Sequence, residues 1–195
     1  VIEMSENARE AVLEAARRTA QAHGYGGLNF RDIGAEVGIK AASIYHHFAS
    51  KADLGAAVAK RYWEDTAAAL EALSTETGDP IKALDAYPGL FRRSLEQDNR
   101  MCLCSFMSAE YDDLPDAVKT EVQAFADVNV AWLARMLAGA AVPKSKCEPK
   151  ARAIFAAVAG AQLMARGRAD LGLFDALIAS YRESGLIPTA ISGKR

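Results

Sequence analysis

Cysteine is scarce in this chain. Three of its 195 residues are cysteines, at 102, 104 and 147, too few and too unevenly spaced for a disulfide framework, and the odd count points to a reduced, cytoplasmic setting. The opening residues show no secretory-signal pattern, and the longest alanine-rich run, 151–165, is broken by Arg152 and Gln162 and falls short of a bilayer span. The expectation is a soluble protein with no membrane partner. Strand-type alternation of apolar and polar residues is missing throughout, as are internal repeats and low-complexity segments, so the fold is expected to be all-α.

Recognisable catalytic spacing is missing too. Glu110, Asp112 and Asp113, the cysteines, and His23, His46 and His47 form no nucleophile and base at a diagnostic interval, so no catalytic residue and no enzymatic activity is expected. Adjacent residues on a helix do not face one another, which removes His46-His47 as a metal pair. Cys102 and Cys104, one residue apart with Cys147 remote, do not make a four-ligand zinc site. Neither metal nor cofactor is expected. The segment Arg100-Met101-Cys102-Leu103-Cys104 leaves two readings: a thiol activated by the nearby arginine that senses electrophiles or oxidants, or small buried hydrophobes.

An excess of positive charge is absent as well, since the formal net charge is -2. Residues 1–61 carry eight Lys and Arg against seven Asp and Glu, and residues 62–195 carry fifteen against eighteen, or +1 and -3. A nucleic-acid contact made by so weakly basic an N-terminal part needs two copies on one site and depends on salt.

The segment from Gly24 to Leu54 is dense in signals. Asn29 can cap a short helix to about Glu36, with Ile33 and Val37 on one apolar face, and Gly38 supplies a tight turn. A second short helix over Lys40 to His47 turns Ile44 and Phe48 inward and leaves Lys40, Ser43, Tyr45, His46 and His47 facing out or sideways. Ser50 and Asp53 have capping-box spacing, so a third helix starts at Lys51 with free N–H groups suited to a phosphate. This is a helix-turn-helix followed directly by a capped helix.

From Arg9 through Leu54 the sequence resembles the DNA-binding domain of the TetR (tetracycline repressor-like) transcriptional regulators. The resemblance is carried by Val12, Leu13 and Ala16, Gly24-Tyr25, Leu28, Arg31-Asp32-Ile33, Val37-Gly38-Ile39, Ser43-Ile44-Tyr45, His47-Phe48, Ser50-Lys51 and Leu54. It implies that Tyr45 and Lys51 contact phosphates and that Arg31, Lys40, Ser43 and His46 lie against the major groove. Hydroxyl, amine and imidazole donors suit that task, and the Arg31 fork suits a guanine edge. Two positions depart from the family: Asn29-Phe30 stands where threonine is frequent, and Ala41-Ala42 leaves few side chains to read bases, with methyl contacts to thymine as a weaker contribution. The DNA-facing set is therefore Asn29, Arg31, Lys40, Ala41, Ser43, Tyr45, His46 and Lys51. The Tyr45 ring can also cover the small core of the three-helix head, a role compatible with phosphate contact.

Beyond the head, Gly and Pro place the boundaries of a helical body. Helices are expected over Lys51 to Leu73, Ile81 to Gln97 with a kink or end at Pro88-Gly89, Met101 to Tyr111, and from Asp112–Pro115 to Leu137. A polar connection over Val142 to Pro149 precedes helices over Lys150 to Arg168 and Asp170 to Ser184, with Gly185 as a stop. The organisation read from this is a helix-turn-helix head (1–50), a ligand-binding and dimerisation body (51–187) and a tail (188–195).

The last two helices are apolar around too much of their circumference for a single buried stripe. Small residues from Ala153 to Ala161 allow a second axis to approach closely, and the family resemblance implies a two-fold four-helix interface. Phe155, Ala156, Gly160, Leu163, Phe174, Leu177, Ile178 and Tyr181 are its expected members, with burial inside the chain as the alternative. An effector cavity is expected among Trp63, Phe91, Leu95, Cys102, Phe106, Met107, Phe125, Trp132 and Met136, with Glu110, Asn129 and Gln162 as polar anchors; core packing is the alternative for most of them. The function so read is a homodimeric regulator, a repressor released from a palindromic double-stranded DNA operator by a small molecule. The alternative is a helical protein-interaction scaffold that keeps the head without specific DNA binding.

Overall fold

The computed structural model describes residues 2–189 and is helical, with no strand among those residues. Ten α-helices follow in order: α1 (Ile2–His23), α2 (Phe30–Val37), α3 (Ala41–Ile44), α4 (Lys51–Thr77), α5 (Pro80–Ala86), α6 (Pro88–Glu96), α7 (Leu103–Ser108), α8 (Asp116–Gly139), α9 (Lys144–Arg168) and α10 (Leu171–Glu183). A 3-10 turn at Tyr111–Asp113 lies between α7 and α8. The expected tail falls mostly outside the described residues.

The chain divides into two compact units, one of residues up to Glu64 with Leu103–Phe125, the other of Asp65–Cys102 with residues from Ala126 onward. The head read from sequence thus lies inside a larger unit that includes α7 and the first part of α8, and α4 and α8 each contribute to both units. In the first unit, Val12, Leu13, Ala16 and Ala20 repeat at helical spacing along α1 and are buried with Leu28, Ile33, Ile44, Phe48 and Leu54. Full burial of the valine, leucine, isoleucine and phenylalanine side chains among them is worth about 1.5–3 kcal/mol each. Arg18 of α1 also grips Glu36 of α2 at 2.6 Å, a bond that raises the guanidinium pKa.

In the second unit, α9 packs on α6 and α10, and α10 packs on α6. Its core gathers Leu70, Leu84, Tyr87, Leu133, Leu137, Ile154, Val158 and Phe174. Tyr87 is fully buried, with its hydroxyl 2.9 Å from Asn129 Oδ1 and its ring stacked on Trp132 at 5.7 Å. Burial drives its phenol pKa well up, with a smaller push from Cys102, and keeps it a neutral donor. Two ion pairs tie α10 to α5 and α6: Arg92–Asp175 at 2.8 Å and Arg182–Asp85 at 2.6 Å.

Several boundaries differ from the sequence expectation. Helix α4 continues to Thr77, with the Ser74, Thr75 and Thr77 hydroxyls bonded back to earlier carbonyls and Gly78 ending it at φ 58°. The expected kink or end at Pro88-Gly89 within Ile81 to Gln97 is a full break into α5 and α6, each opening on a proline. The helix expected over Met101 to Tyr111 is the shorter α7 plus the 3-10 turn. The expected polar connection over Val142 to Pro149 is already helical from Lys144. Pro149 sits inside α9, and Cys147 is buried on it with Sγ 3.4 Å from the Val142 carbonyl oxygen. Pro149 removes one backbone bond, and the helix continues through it.

Candidate nucleic-acid interface

Local sequence shapes the head. Asn29 is extended and its side-chain oxygen accepts the N–H of Arg31 at 2.8 Å, which fixes the start of α2. Gly38 takes φ 79°, the left-handed value that ends α2 and turns the chain into α3. Gly34 is the close-packed point of the turn: a Cβ there would lie 2.8 Å from the Ile39 carbonyl oxygen. Helix α3 is shorter than the expected span to His47. Its regular part ends at Ile44, and His46 and His47 continue through bonds to the Ser43 and Ile44 carbonyls, a tighter three-residue spacing. Ile44 and Phe48 are buried, in the register read from sequence.

Ser50 and Asp53 cap α4 as a pair: the Asp53 N–H donates to Ser50 Oγ at 3.1 Å and the Ser50 hydroxyl donates to Asp53 Oδ2 at 2.8 Å. Lys51, the first residue of α4, sends its ammonium to the Gly26 carbonyl oxygen at 3.0 Å and lies 4.7 Å over the Tyr25 ring. Tyr45 is 58% exposed, and its ring meets Phe30 edge-on at 4.7 Å, so Phe30 helps fix the ring's orientation.

These residues border a groove of about 310 Å³ lined by Leu28, Asn29, Phe30, Arg31, Ala41, Tyr45 and Lys51. Five of the eight residues read from sequence as DNA-facing line it. Lys40 and His46 are exposed and Ser43 is half-buried on α3. The side chains of Arg31, Lys40, Ser43 and His46 make no hydrogen bond or ion pair to other described residues. A cluster of uncommitted donors beside a shallow groove matches the acceptor-rich surface of a nucleic acid, where phosphates position and base edges specify.

Phe30 and Glu110 are the residues that sequence reasoning missed here. Phe30 was visible as a departure from the family pattern. Glu110 carried no local signal, because its partners lie 84 and 85 positions away in the chain: its two carboxylate oxygens accept the N–H groups of Tyr25 and Gly26. The Glu110 carboxylate, expected as a ligand anchor, is here engaged by these two amides.

The other expected pocket residues divide between the units. In the first, Trp63 Nε1 donates to Glu121 at 2.7 Å, Phe125 packs against Tyr62 at 5.6 Å, and Phe106 is half-buried. In the second, Phe91, Leu95, Cys102, Asn129, Trp132 and Gln162 are all buried. Gln162 is a structural clamp, not an open anchor: its amide donates to the Phe91 carbonyl at 2.8 Å and accepts the Cys102 N–H at 3.0 Å. Trp132 borders an open groove of about 410 Å³ between α4 and α8, which it shares with Ala67, Leu70, Glu71, Val128, Ala131 and Arg135. Cys102, Cys104 and Cys147 are buried free thiols. The described residues hold no cluster of three or more metal-ligating side chains, and no described helix is long and apolar enough to cross a membrane.

The expected interface residues also sort by exposure. Phe174 and Ile178 are 1% and 3% exposed within the single chain, so they belong to its own core and are corrected from the interface set. Ala156, Gly160 and Leu163 are exposed, and Phe155, Leu177 and Tyr181 are half-buried.

An all-helical chain with a helix-turn-helix head and an outward-facing donor set is built as a DNA-binding regulator. The sequence profile of the bacterial regulatory proteins of the tetR family matches residues 12–58, the span that holds this head. A TetR-family transcriptional regulator from Agrobacterium tumefaciens has a similar structure, with TM-score 0.87 and 30% identity over 95% of this chain and 100% of that one. A TetR regulator from Legionella pneumophila gives TM-score 0.84 and 25% identity over 90% and 95% of the two chains. The chain belongs to the TetR family of transcriptional regulators. The HTH-type transcriptional repressor AcnR of Corynebacterium glutamicum is 38% identical over 68 residues, a stretch that covers 35% of this chain and 35% of that repressor.

Proposed function

We propose that this protein is a homodimeric transcriptional repressor, released from a roughly palindromic DNA operator by a small-molecule effector. The observation that carries the reading is the uncommitted donor set of Arg31, Lys40, Ser43 and His46 beside the groove lined by Tyr45 and Lys51. Lys51 and Tyr45 contact phosphates; Arg31, Lys40, Ser43 and His46 read base edges, with Asn29 setting the start of α2 and Ala41 facing thymine methyls. A curated relative named as a repressor shares 38% identity over 68 residues.

Dimerisation is supported by an apolar stripe that a lone chain leaves in water. Ala153, Ala156, Gly160, Leu163 and Met164 recur at helical spacing on the exposed face of α9, and Leu163 and Met164 are 59% and 51% exposed. A two-fold axis along this stripe pairs α9 and α10 with their mates, and a dimer reading a palindrome engages half-sites about 34 to 36 Å apart, one turn of duplex. Weak basicity then becomes sufficient, because the second head binds at high effective concentration.

Effector release is supported by the groove beside Trp132 and by the continuity of α4, which begins at Lys51 in the interface and runs to Thr77 past that groove. A ligand that binds one conformation of α4 more tightly shifts the head between competent and incompetent states by its differential affinity. The test is selection of bound duplexes from a random pool at two salt concentrations, with a Tyr45→Ala/Lys51→Ala variant as control. An enriched palindrome that the variant loses supports the reading; no enrichment by either protein overturns it. An effector that binds and leaves operator affinity unchanged overturns the release step alone.

A further inference from the structure

The loop that joins α1 to α2 is held from outside the head. Among the consecutive amides of residues 24–28, those of Gly24, Gly27 and Leu28 donate to backbone carbonyls of Ala20, His23 and Tyr25. The remaining two are taken by one side chain: Tyr25 N–H donates to Glu110 Oε2 at 2.6 Å and Gly26 N–H donates to Glu110 Oε1 at 3.1 Å. Hydrogen bonds to an ionised carboxylate are about twice as strong as neutral ones. The loop is also shaped to admit this group. Gly24 has φ 70°, and a Cβ on it would lie 2.2 Å from Glu110 Oε2.

The other side of the same loop faces the interface. The Gly26 carbonyl accepts the Lys51 ammonium at 3.0 Å, and the Tyr25 ring lies under that ammonium at 4.7 Å. Lys51 lines the groove with Arg31 and Tyr45. One of its three N–H protons is spent on Gly26, which leaves two for a phosphate oxygen and fixes their direction.

We propose that Glu110 is a positioning residue for DNA binding: its carboxylate sets the shape of the α1–α2 loop, and that loop aims Lys51 at the DNA backbone. The inference rests on the reading above that Lys51 faces a phosphate. It makes the segment between α7 and α8 a determinant of the head's competence, although that segment lies more than fifty positions beyond the head in the chain. Gly26 is exposed, so water takes up its amide when Glu110 is shortened, whereas Tyr25 is buried and its amide loses an acceptor; the thermal unfolding of Glu110→Ala and Glu110→Gln reads whether the head stays folded with a looser loop.

The experiment uses the full chain and a mixed-sequence DNA duplex titrated across a salt series, with Glu110→Ala, Glu110→Gln, Lys51→Ala and Glu110→Ala/Lys51→Ala variants. Thermal unfolding and amide exchange at Tyr25 and Gly26 are read on the same proteins. Lys51→Ala is expected to lower the slope of log affinity against log salt by about one, because one phosphate is no longer neutralised. Glu110→Ala is expected to lower affinity on the order of tenfold, to lower the slope as Lys51→Ala does, and to speed exchange at both amides. It is expected to add nothing in the Lys51→Ala background, with Glu110→Gln intermediate, since its single carbonyl retains one of the two bonds. A merely structural role would reduce melting temperature and affinity while leaving the slope intact and the effects additive, and that result overturns the proposal. An unchanged slope in Lys51→Ala instead overturns the phosphate reading of Lys51, and the relay with it.

Discussion

At Asn29 one side-chain oxygen takes up the Arg31 N–H, the single capping bond at the start of the helix that carries Arg31 to the groove. Asn29→Ala is expected to cost about 0.5–2 kcal/mol in stability, read as a lower midpoint in urea, because the α2 N–H loses its acceptor and the turn its preferred geometry. Asp175 allows a pH test. Its hydrogen bonds to Arg92 hold the carboxyl below the ordinary aspartate range, outweighing a partial burial that acts the other way. A depressed folded pKa contributes stability above the unfolded value, about 3.9, and loses it as pH falls through the folded value. Asp175→Asn should therefore melt lower than the parent at pH 7, and the gap should close below pH 4. Both side chains are well exposed, so the difference is small and shrinks in high salt.

At the scale of elements, what was legible in the sequence followed from local chemistry. The Asn29 cap, the left-handed Gly38, the Ser50/Asp53 box and the inward register of Ile44 and Phe48 each depend on residues a few positions apart, and each is found where the spacing placed it. Some boundaries failed because a local signal was read as decisive. Pro149 read as a breaker, yet α9 starts five residues earlier and runs through it, with Cys147 buried along it. Pro149→Ala restores the missing N–H toward Ser145, which lies inside α9, and should stabilise the chain on the order of 1–3 kcal/mol. A calorimetric melting temperature that fell instead would mean that the restriction proline places on the unfolded chain dominates. The candidate site divides in the same way. The donors of α2 and α3 were readable from periodicity, whereas the grip of Glu110 on Tyr25 and Gly26 and the clamp of Gln162 between Phe91 and Cys102 join segments far apart in sequence. Periodicity also reports that a residue is apolar without saying which surface covers it, and for that reason Phe174 and Ile178 read as interface and are core.

For the whole molecule, the exposed stripe of α9 makes assembly state the decisive property. Leu163→Glu/Met164→Glu places two carboxylates where the proposed two-fold axis brings identical side chains together, and both positions are open in the single chain, so the fold has no need to rearrange. Sedimentation at micromolar concentration should show the parent as a dimer and the variant as a monomer with the same helical circular dichroism. Operator affinity of the variant should fall by about 10²–10⁴, the contribution of bivalence at a short tether. An unchanged mass would place the dimer contact elsewhere.

The composition of the first unit also bears on how this regulator can be rewired. Exchanging residues 1–50 between relatives is the obvious way to graft one operator preference onto another body. Here the graft would leave behind Glu110, and with it Val118, whose side chain packs beside Tyr25 at Gly55. A transplanted head would arrive with its α1–α2 loop unheld. A chimera that keeps Leu103–Phe125 with the incoming head carries those partners along, so the transferable module is discontinuous in the chain.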